Sequence, residues 1–331
     1  MLGATAGPRI GITGLGVHVP ERIVTNDDLA KAVDTSDEWI RERTGIRERR
    51  MAADDEALTD IALPAARLAL ADAGAEAAEI DLVICATVTP DMMFPTASAL
   101  IADTLGMPRA AAFDLLAGCT GFVYAVAQAY GMLACGVSKK ALVVGGDVLS
   151  KILDWDDRST LVLFGDGAGA VVMERVEEGG FIGFELGADG GGGEFLWYPG
   201  SGSRQFENPE ALLKMNGREV FKFATRIMVY SAQQILEECG KTVDDIDVYI
   251  PHQANKRIID YAADKLGVPS EKTVVNVDRF GNTSSGSIPL ALADAREEGR
   301  LHDGALVLMT GMGAGLTWGS ALLEWTNGGS R

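Results

Sequence analysis

Five short stretches of the chain are apolar at nearly every position: Leu82 to Thr87, Ala141 to Gly146, Val248 to Ile250, Thr273 to Val277 and Ala305 to Thr310. A strand with one face in water alternates apolar and polar residues. Unbroken apolar runs of this length predict strands buried on both faces, as in a sheet covered by helices on either side. Between the runs lie helical patterns, and Phe122 to Ala134 is so uniformly apolar that its helix must be buried all round. Each half of the chain reads helix, buried strand, loop, helix, strand, glycine-rich turn, helix, strand, which predicts an α/β fold.

The pattern also repeats. Leu70 to Ile84, LADAGAEAAEIDLVI, and Leu236 to Ile250, LEECGKTVDDIDVYI, share Leu, Gly, Ile, Asp and Ile at matching places 166 residues apart, from 70 to 236. A helix ending in Leu105-Gly106-Met107-Pro108 follows the first copy, and one ending in Leu266-Gly267-Val268-Pro269 follows the second. A run containing Asp114 then answers one containing Asp278, and Ala141 to Gly145 answers Ala305 to Met309, both at a spacing of 164. An ordered series of this kind predicts an internal duplication. The boundary falls near Glu177 to Gly180, giving halves 1–178 and 179–331. Gly187 to Gly193 is a turn or flexible loop and not a nucleotide fingerprint, because no G-x-G-x-x-G opens a helix there.

Composition narrows the chemistry. With 331 residues, 47% of them hydrophobic, the chain can bury two cores, and a net charge of −18 argues against binding nucleic acid. The amino-terminal MLGATAGPRIGITG has no apolar run of signal-peptide length, and no later segment reaches the ~18 apolar residues of a membrane span, so a cytoplasmic protein is expected. Cys85, Cys119, Cys135 and Cys239 are scattered, and only His18, His252 and His302 accompany them, so neither a disulfide framework nor a metal site is indicated.

Cys119 stands out by position, where a strand turns through glycine into the buried helix. There, unpaired N–H groups and the helix dipole are expected to lower the thiol pKa and favour thiolate. The other three cysteines read as small structural hydrophobes. His252 follows the strand DVYIP, at the carboxyl end where open α/β sheets place their crevice. Asn282, in RFGNTSSGSIP, lies between a strand and a helix. By the repeat, Cys119 and Asn282 open equivalent helices, so all three could meet at one pseudo-twofold axis. Arg218, Lys222 and Arg226 recur every four residues, with Lys214 before them and Lys256 and Arg257 elsewhere, a basic stripe suited to an acidic partner.

The motifs GCTGFVYA, PHQANKRI, FGNTSSGSIP, LFGDGAGAVV and GAGLTWGSALLEW, with TSDEWIRERTGIRERR near the start, resemble β-ketoacyl-acyl carrier protein synthase III, the initiating condensing enzyme of bacterial fatty acid synthesis. The resemblance spans nearly the whole chain in order. It implies the thiolase-like fold, two duplicated α/β halves in a five-layered α-β-α-β-α core, and a homodimer. It also implies decarboxylative condensation of an acyl-coenzyme A primer with malonyl-acyl carrier protein through an acyl thioester. Coenzyme A thioester would be a substrate, with no cofactor or metal.

Carried over residue by residue, the resemblance makes Cys119, His252 and Asn282 catalytic and gives the oxyanion hole to the backbone N–H groups of Cys119 and Ala314. A departure sits at the last position. The family has a FGGG-like stretch where this chain has Met312-Gly313-Ala314-Gly315, and Ala314 can serve only with negative φ. Trp39, Arg43, Arg158, Phe221, Asn255 and Phe94 are implied to bind coenzyme A or substrate, Phe94 across the dimer interface. Gln253, Ala254, Asn255, Lys256, Arg257, Arg218 and Lys222 are implied to dock the carrier protein. Packing around Phe94, Leu115, Leu163 and Met215 is expected to set primer choice. Two other readings keep the fold: a starter-unit synthase or acyltransferase of secondary metabolism, and a non-catalytic acyl-thioester-binding protein.

Overall fold

The computed structural model describes residues 7–200, 202–204 and 211–326. The first six residues of the amino-terminal stretch read above lie outside them. Strands β1 (Ile10–His18), β2 (Leu82–Ala86), β3 (Ala111–Leu115), β4 (Lys140–Val148) and β5 (Asp166–Arg175) form one sheet in the order β1-β5-β4-β2-β3. Strands β6 (Gly180–Ala188), β7 (Val248–Pro251), β8 (Leu306–Gly313) and β9 (Thr317–Glu324) form a second in the order β7-β8-β9-β6. The turn between β5 and β6, residues 176–179, separates the strands of the two sheets.

Helices α1 (Asp37–Thr44), α2 (Leu58–Ala73), α3 (Ala97–Leu105), α4 (Gly121–Ala134), α5 (Gly217–Glu238), α6 (Lys256–Leu266) and α7 (Ser287–Glu297) cover them. The unbroken apolar runs are explained by which layer each side chain enters. Leu82, Ile84, Ala141 and Val143 point into a central core shared with α4, α7 and the second sheet. Their neighbours Val83, Cys85, Leu142 and Val144 point the other way, onto α2 and α3. In the second sheet Val248, Ile250, Val307 and Met309 join the central core, while Tyr249, Leu306 and Leu308 meet α5 and α6. The result is five layers, α-β-α-β-α, with α4 and α7 in the middle.

The duplication holds, with two corrections. Ala141 pairs with Leu82, and Val307 pairs with Val248. The ladder therefore equates Ala141 with Val307 at a spacing of 166, not with Ala305 at 164. A shift of two keeps every side chain on its own face, so apolar patterning could not tell the two spacings apart. The run Thr273 to Val277 is also not a full strand: only Thr273 bridges to Tyr249. Beyond it the N–H groups of Asn276 and Val277 donate to the Gln253 side-chain oxygen, at 2.9 and 3.2 Å, and the chain enters a short helix, Val277–Phe280. Asp278 thus lies in a helix where Asp114 lies in β3.

Candidate active site

Cys119 occupies a 3-10 turn, Gly118–Thr120, that leads directly into α4. Gly118 has φ 57°, and a Cβ there would stand 2.6 Å from the Ala314 nitrogen. A Cβ on Gly313 would stand 2.5 Å from the Cys119 nitrogen. Two bare glycines therefore let the end of β8 lie backbone to backbone against the cysteine turn. Ala314 is not among the residues with positive φ, so its alanine side chain is tolerated. Its N–H has no backbone acceptor among the described residues. The Cys119 and Ala314 N–H groups form a pair that can face a developing oxyanion.

His252 leaves β7, and its N–H donates to the Thr310 carbonyl on β8 at 2.7 Å. The ring is buried; Nδ1 lies 2.6 Å from the Ser287 hydroxyl, while Nε2 has no partner among the described residues. Burial pushes the imidazole pKa down to about 3, so the ring is neutral at physiological pH. Asn282 is clamped by its backbone, its N–H donating to Leu163 at 2.8 Å and its carbonyl accepting from Gly165 at 3.0 Å. Its side-chain oxygen accepts from the Ser284 N–H at 2.8 Å, which leaves the amide nitrogen as a donor near Cys119.

The surroundings of Cys119 do not favour the expected thiolate. Burial pushes the Cys119 thiol up to about 12, opposed by the neighbouring Ser284 hydroxyl and, to a smaller degree, Asn282. Desolvation of the anion outweighs the few dipoles that favour it. Ser284 is itself unusual, a buried non-glycine residue at φ 52° whose hydroxyl has no partner of full hydrogen-bond geometry among the described residues.

A cavity of about 980 Å³ opens over this centre, with Cys119, Ser284 and Ala314 in its wall. Leu116, Phe164 and Leu213 line it, rather than the expected Leu115, Leu163 and Met215. In each case a residue one or two places away faces the cavity. Phe94 does not line it either; it is 80% exposed beside exposed Met92 and Met93.

At the surface, Arg43 and Arg158 both lie over the Trp39 ring, 4.8 and 5.1 Å from its centre. Trp39 also packs against a core cluster, and Arg158 donates to the Asp34 carbonyl at 2.7 Å. Asn255 caps α6 and donates to the Arg43 carbonyl at 3.1 Å, and Arg257 lies over the Phe221 ring at 5.4 Å. Gln253 and Ala254 are buried, which removes them from a docking surface. Gln253 instead ties its carboxamide to the backbone of Pro251, Val274, Asn276 and Val277. Among the described residues, ion pairs engage Lys222 with Glu219 and Lys256 with Asp260 but leave Arg218, Arg226 and Arg257 free of one.

Sequence reasoning missed Asp147. Fully buried on β4, it accepts from the Thr87 and Thr89 hydroxyls, the Val88 N–H and the Ser285 hydroxyl, at 2.7 to 3.0 Å. It ties the Asn282 turn to the other half. An Asp ending an apolar strand was the only signal. Arg49 was missed too: buried beside Gly281, it donates to the carbonyls of Val24 and Val162 and to the Asn26 side chain.

Two duplicated α/β halves in five layers, with a buried cysteine in one and a buried histidine and asparagine in the other, have the architecture of a thiolase-like enzyme of the condensing, acyl-transferring kind. Models of the 3-oxoacyl-[acyl-carrier-protein (ACP)] synthase III family match residues 113–190 and, for its C-terminal part, 236–325. The β-ketoacyl-[acyl-carrier-protein] synthase III of Symbiobacterium thermophilum is 55% identical, over 96% of this chain and 98% of that one. The solved structure of the Thermus thermophilus synthase III superposes with a TM-score of 0.90 at 49% identity, covering 96% and 99% of the two chains. A priming β-ketosynthase of the R1128 polyketide pathway superposes equally well, TM-score 0.90, at 39% identity and 96% of each chain. The chain belongs to the 3-oxoacyl-[acyl-carrier-protein] synthase III family.

Proposed function

We propose that Cys119 carries the acyl group in a condensation of acyl-coenzyme A with malonyl-acyl carrier protein, the reaction that initiates fatty acid synthesis. The observation that carries the reading is a buried thiol and the Ala314 backbone in the wall of one cavity, with the neutral Asn282 amide beside that thiol and the buried, neutral His252 tied to Thr310 of β8, whose end abuts the cysteine turn. Cys119 Sγ attacks the acyl carbon, the bond to the coenzyme A sulfur breaks, and the thiol proton ends on that sulfur. Malonyl-carrier protein then loses carbon dioxide. The charge developing on its thioester oxygen is held by His252 Nε2–H and the Asn282 amide, both neutral and therefore suited to an oxyanion without a prior charge to desolvate. The carbanion attacks the acyl carbon, whose oxyanion faces the Cys119 and Ala314 N–H groups. Cys119 leaves and is reprotonated.

Trp39 with Arg43 and Arg158 supplies an aromatic face and two guanidinium groups for the nucleotide end of coenzyme A. Arg218, Arg226 and Arg257 supply the charge for an acidic carrier protein. The exposed Met92, Met93 and Phe94 beside cavity-lining Leu116 support a homodimer that covers this apolar face. A cytoplasmic enzyme fits the absence, among the described residues, of any helix long and apolar enough to cross a membrane.

Similarity to the polyketide-priming enzyme favours one second reading, priming of a secondary-metabolite chain by the same chemistry. A competition assay with acetyl-, branched- and medium-chain acyl-coenzyme A and malonyl-carrier protein tests both. Carbon dioxide release with a β-ketoacyl product supports condensation; acyl transfer without it contradicts the proposal.

A further inference from the structure

We propose that Ser287 is a positioning residue for His252, its hydroxyl donating to Nδ1 and so holding the imidazole proton on Nε2. The inference rests on the reading above, in which His252 is a donor to the thioester oxygen.

Ser287 opens α7 and is buried, with its Oγ 2.6 Å from His252 Nδ1. The Gln253 N–H points at the same oxygen from 3.4 Å, so one lone pair is already taken. No other acceptor stands within hydrogen-bond distance of that hydroxyl among the described residues. If Nδ1 carried the proton, the serine oxygen would receive two donors while its own hydrogen pointed at nothing, with both residues buried. A buried donor without an acceptor is costly, and donation to Nδ1 leaves only the Nε2–H without one, the single proton that the thioester oxygen of the reading above would meet. Nε2, buried and without a partner among the described residues, then carries the N–H as a donor.

The consequence separates the two half-reactions. With its proton on Nε2, His252 can stabilise the oxyanion of decarboxylation but cannot accept the Cys119 proton through that nitrogen. Acyl transfer to Cys119 should therefore depend little on Ser287, and condensation should depend on it strongly.

Nitrogen-15 NMR of histidine-labelled protein reads the tautomer directly, with only His18 and His302 to distinguish from His252. The expected spectrum has a proton-bearing Nε2 and a bare Nδ1 for His252 from about pH 5 to 8. In Ser287→Ala the tautomers should mix, condensation should fall by about tenfold or more, and acyl-Cys119 formation should change by less than about threefold. Ser287→Thr, which keeps the hydroxyl, should restore condensation. A proton-bearing Nδ1 in the unmodified protein overturns the proposal, and does so even if Ser287→Ala does not fold. Equal loss of both half-reactions in a folded Ser287→Ala also overturns it. Failure of Cys119 to acylate in the unmodified protein would instead sink the functional reading and leave the tautomer result standing.

Discussion

The two halves build the same turn and use it in opposite ways. With the ladder spacing of 166, Gly118-Cys119-Thr120 corresponds to Ser284-Ser285-Gly286, and both are 3-10 turns leading into a central helix. Gly118 and Ser284 share the left-handed conformation, φ 57° and 52°. The strands that abut the turns differ in one decisive place. The first half ends its strand with Asp147, whose carboxylate accepts from the Ser285 hydroxyl and N–H at 2.8 and 3.3 Å. The second half has Gly313 there, bare backbone against the Cys119 nitrogen. One copy of the turn is filled and held by a side chain; the other is left open to the cavity. A duplicated fold can thus dedicate one copy to chemistry and the other to holding the first in place.

Five substitutions or measurements break or sharpen this contrast, taken from largest effect to smallest. Cys119→Ser should lower condensation by about a thousandfold or more with the fold intact, because a hydroxyl at neutral pH is a far weaker nucleophile. Steady-state carbon dioxide release measures it. Gly313→Ala should cost about a hundredfold in kcat, since a methyl 2.5 Å from the Cys119 nitrogen must displace the paired N–H donors.

The third prediction concerns pH. A thiol pushed up to about 12 is protonated at neutral pH, and its thiolate fraction rises with pH until that value is reached. Alkylation of Cys119 in the free enzyme should therefore climb by about tenfold per pH unit between pH 7 and 9, without the plateau of an activated cysteine. His252 gives the companion stability effect. Its pKa is depressed on folding from 6.5 to about 3, so the unfolded chain binds its proton first, and stability is lost as pH falls through that interval. His252→Asn should flatten that part of a denaturation series.

The smallest effect is the mirror of the first. Ser285→Ala should keep most of the activity and cost about 2 kcal/mol of stability, the size of a buried hydrogen bond to a charged acceptor, read by chemical denaturation.

The layered fold was legible because the information is local: apolar runs mark two-sided strands, and the repeated LADAG and LEECG segments mark duplication. Strand-end positions and the family motifs single out Cys119, His252 and Asn282; the fold buries all three and sets Asn282 beside the Cys119 thiol. Facts that depend on the third dimension were not. The 164 and 166 spacings leave the same faces buried, so only the ladder separates them. It then shows that Cys119 corresponds to Ser285 and that Asn282 lies three residues earlier. Whether Leu115 or Leu116 meets the cavity depends on side-chain direction at a strand end, and the thiol pKa depends on burial that a helix-start rule ignores. Gln253 sits in a motif read as a docking surface, yet its carboxamide satisfies four backbone groups inside the fold.

The central claim is that the open copy of the turn, and not the filled one, takes the acyl group. Intact-protein mass spectrometry after incubation with acyl-coenzyme A alone tests it, followed by peptide mapping of the adduct. The account predicts one acyl group per chain, on Cys119, and none in Cys119→Ser. No adduct on the unmodified protein, or an adduct that maps to Cys85, Cys135 or Cys239, would contradict it.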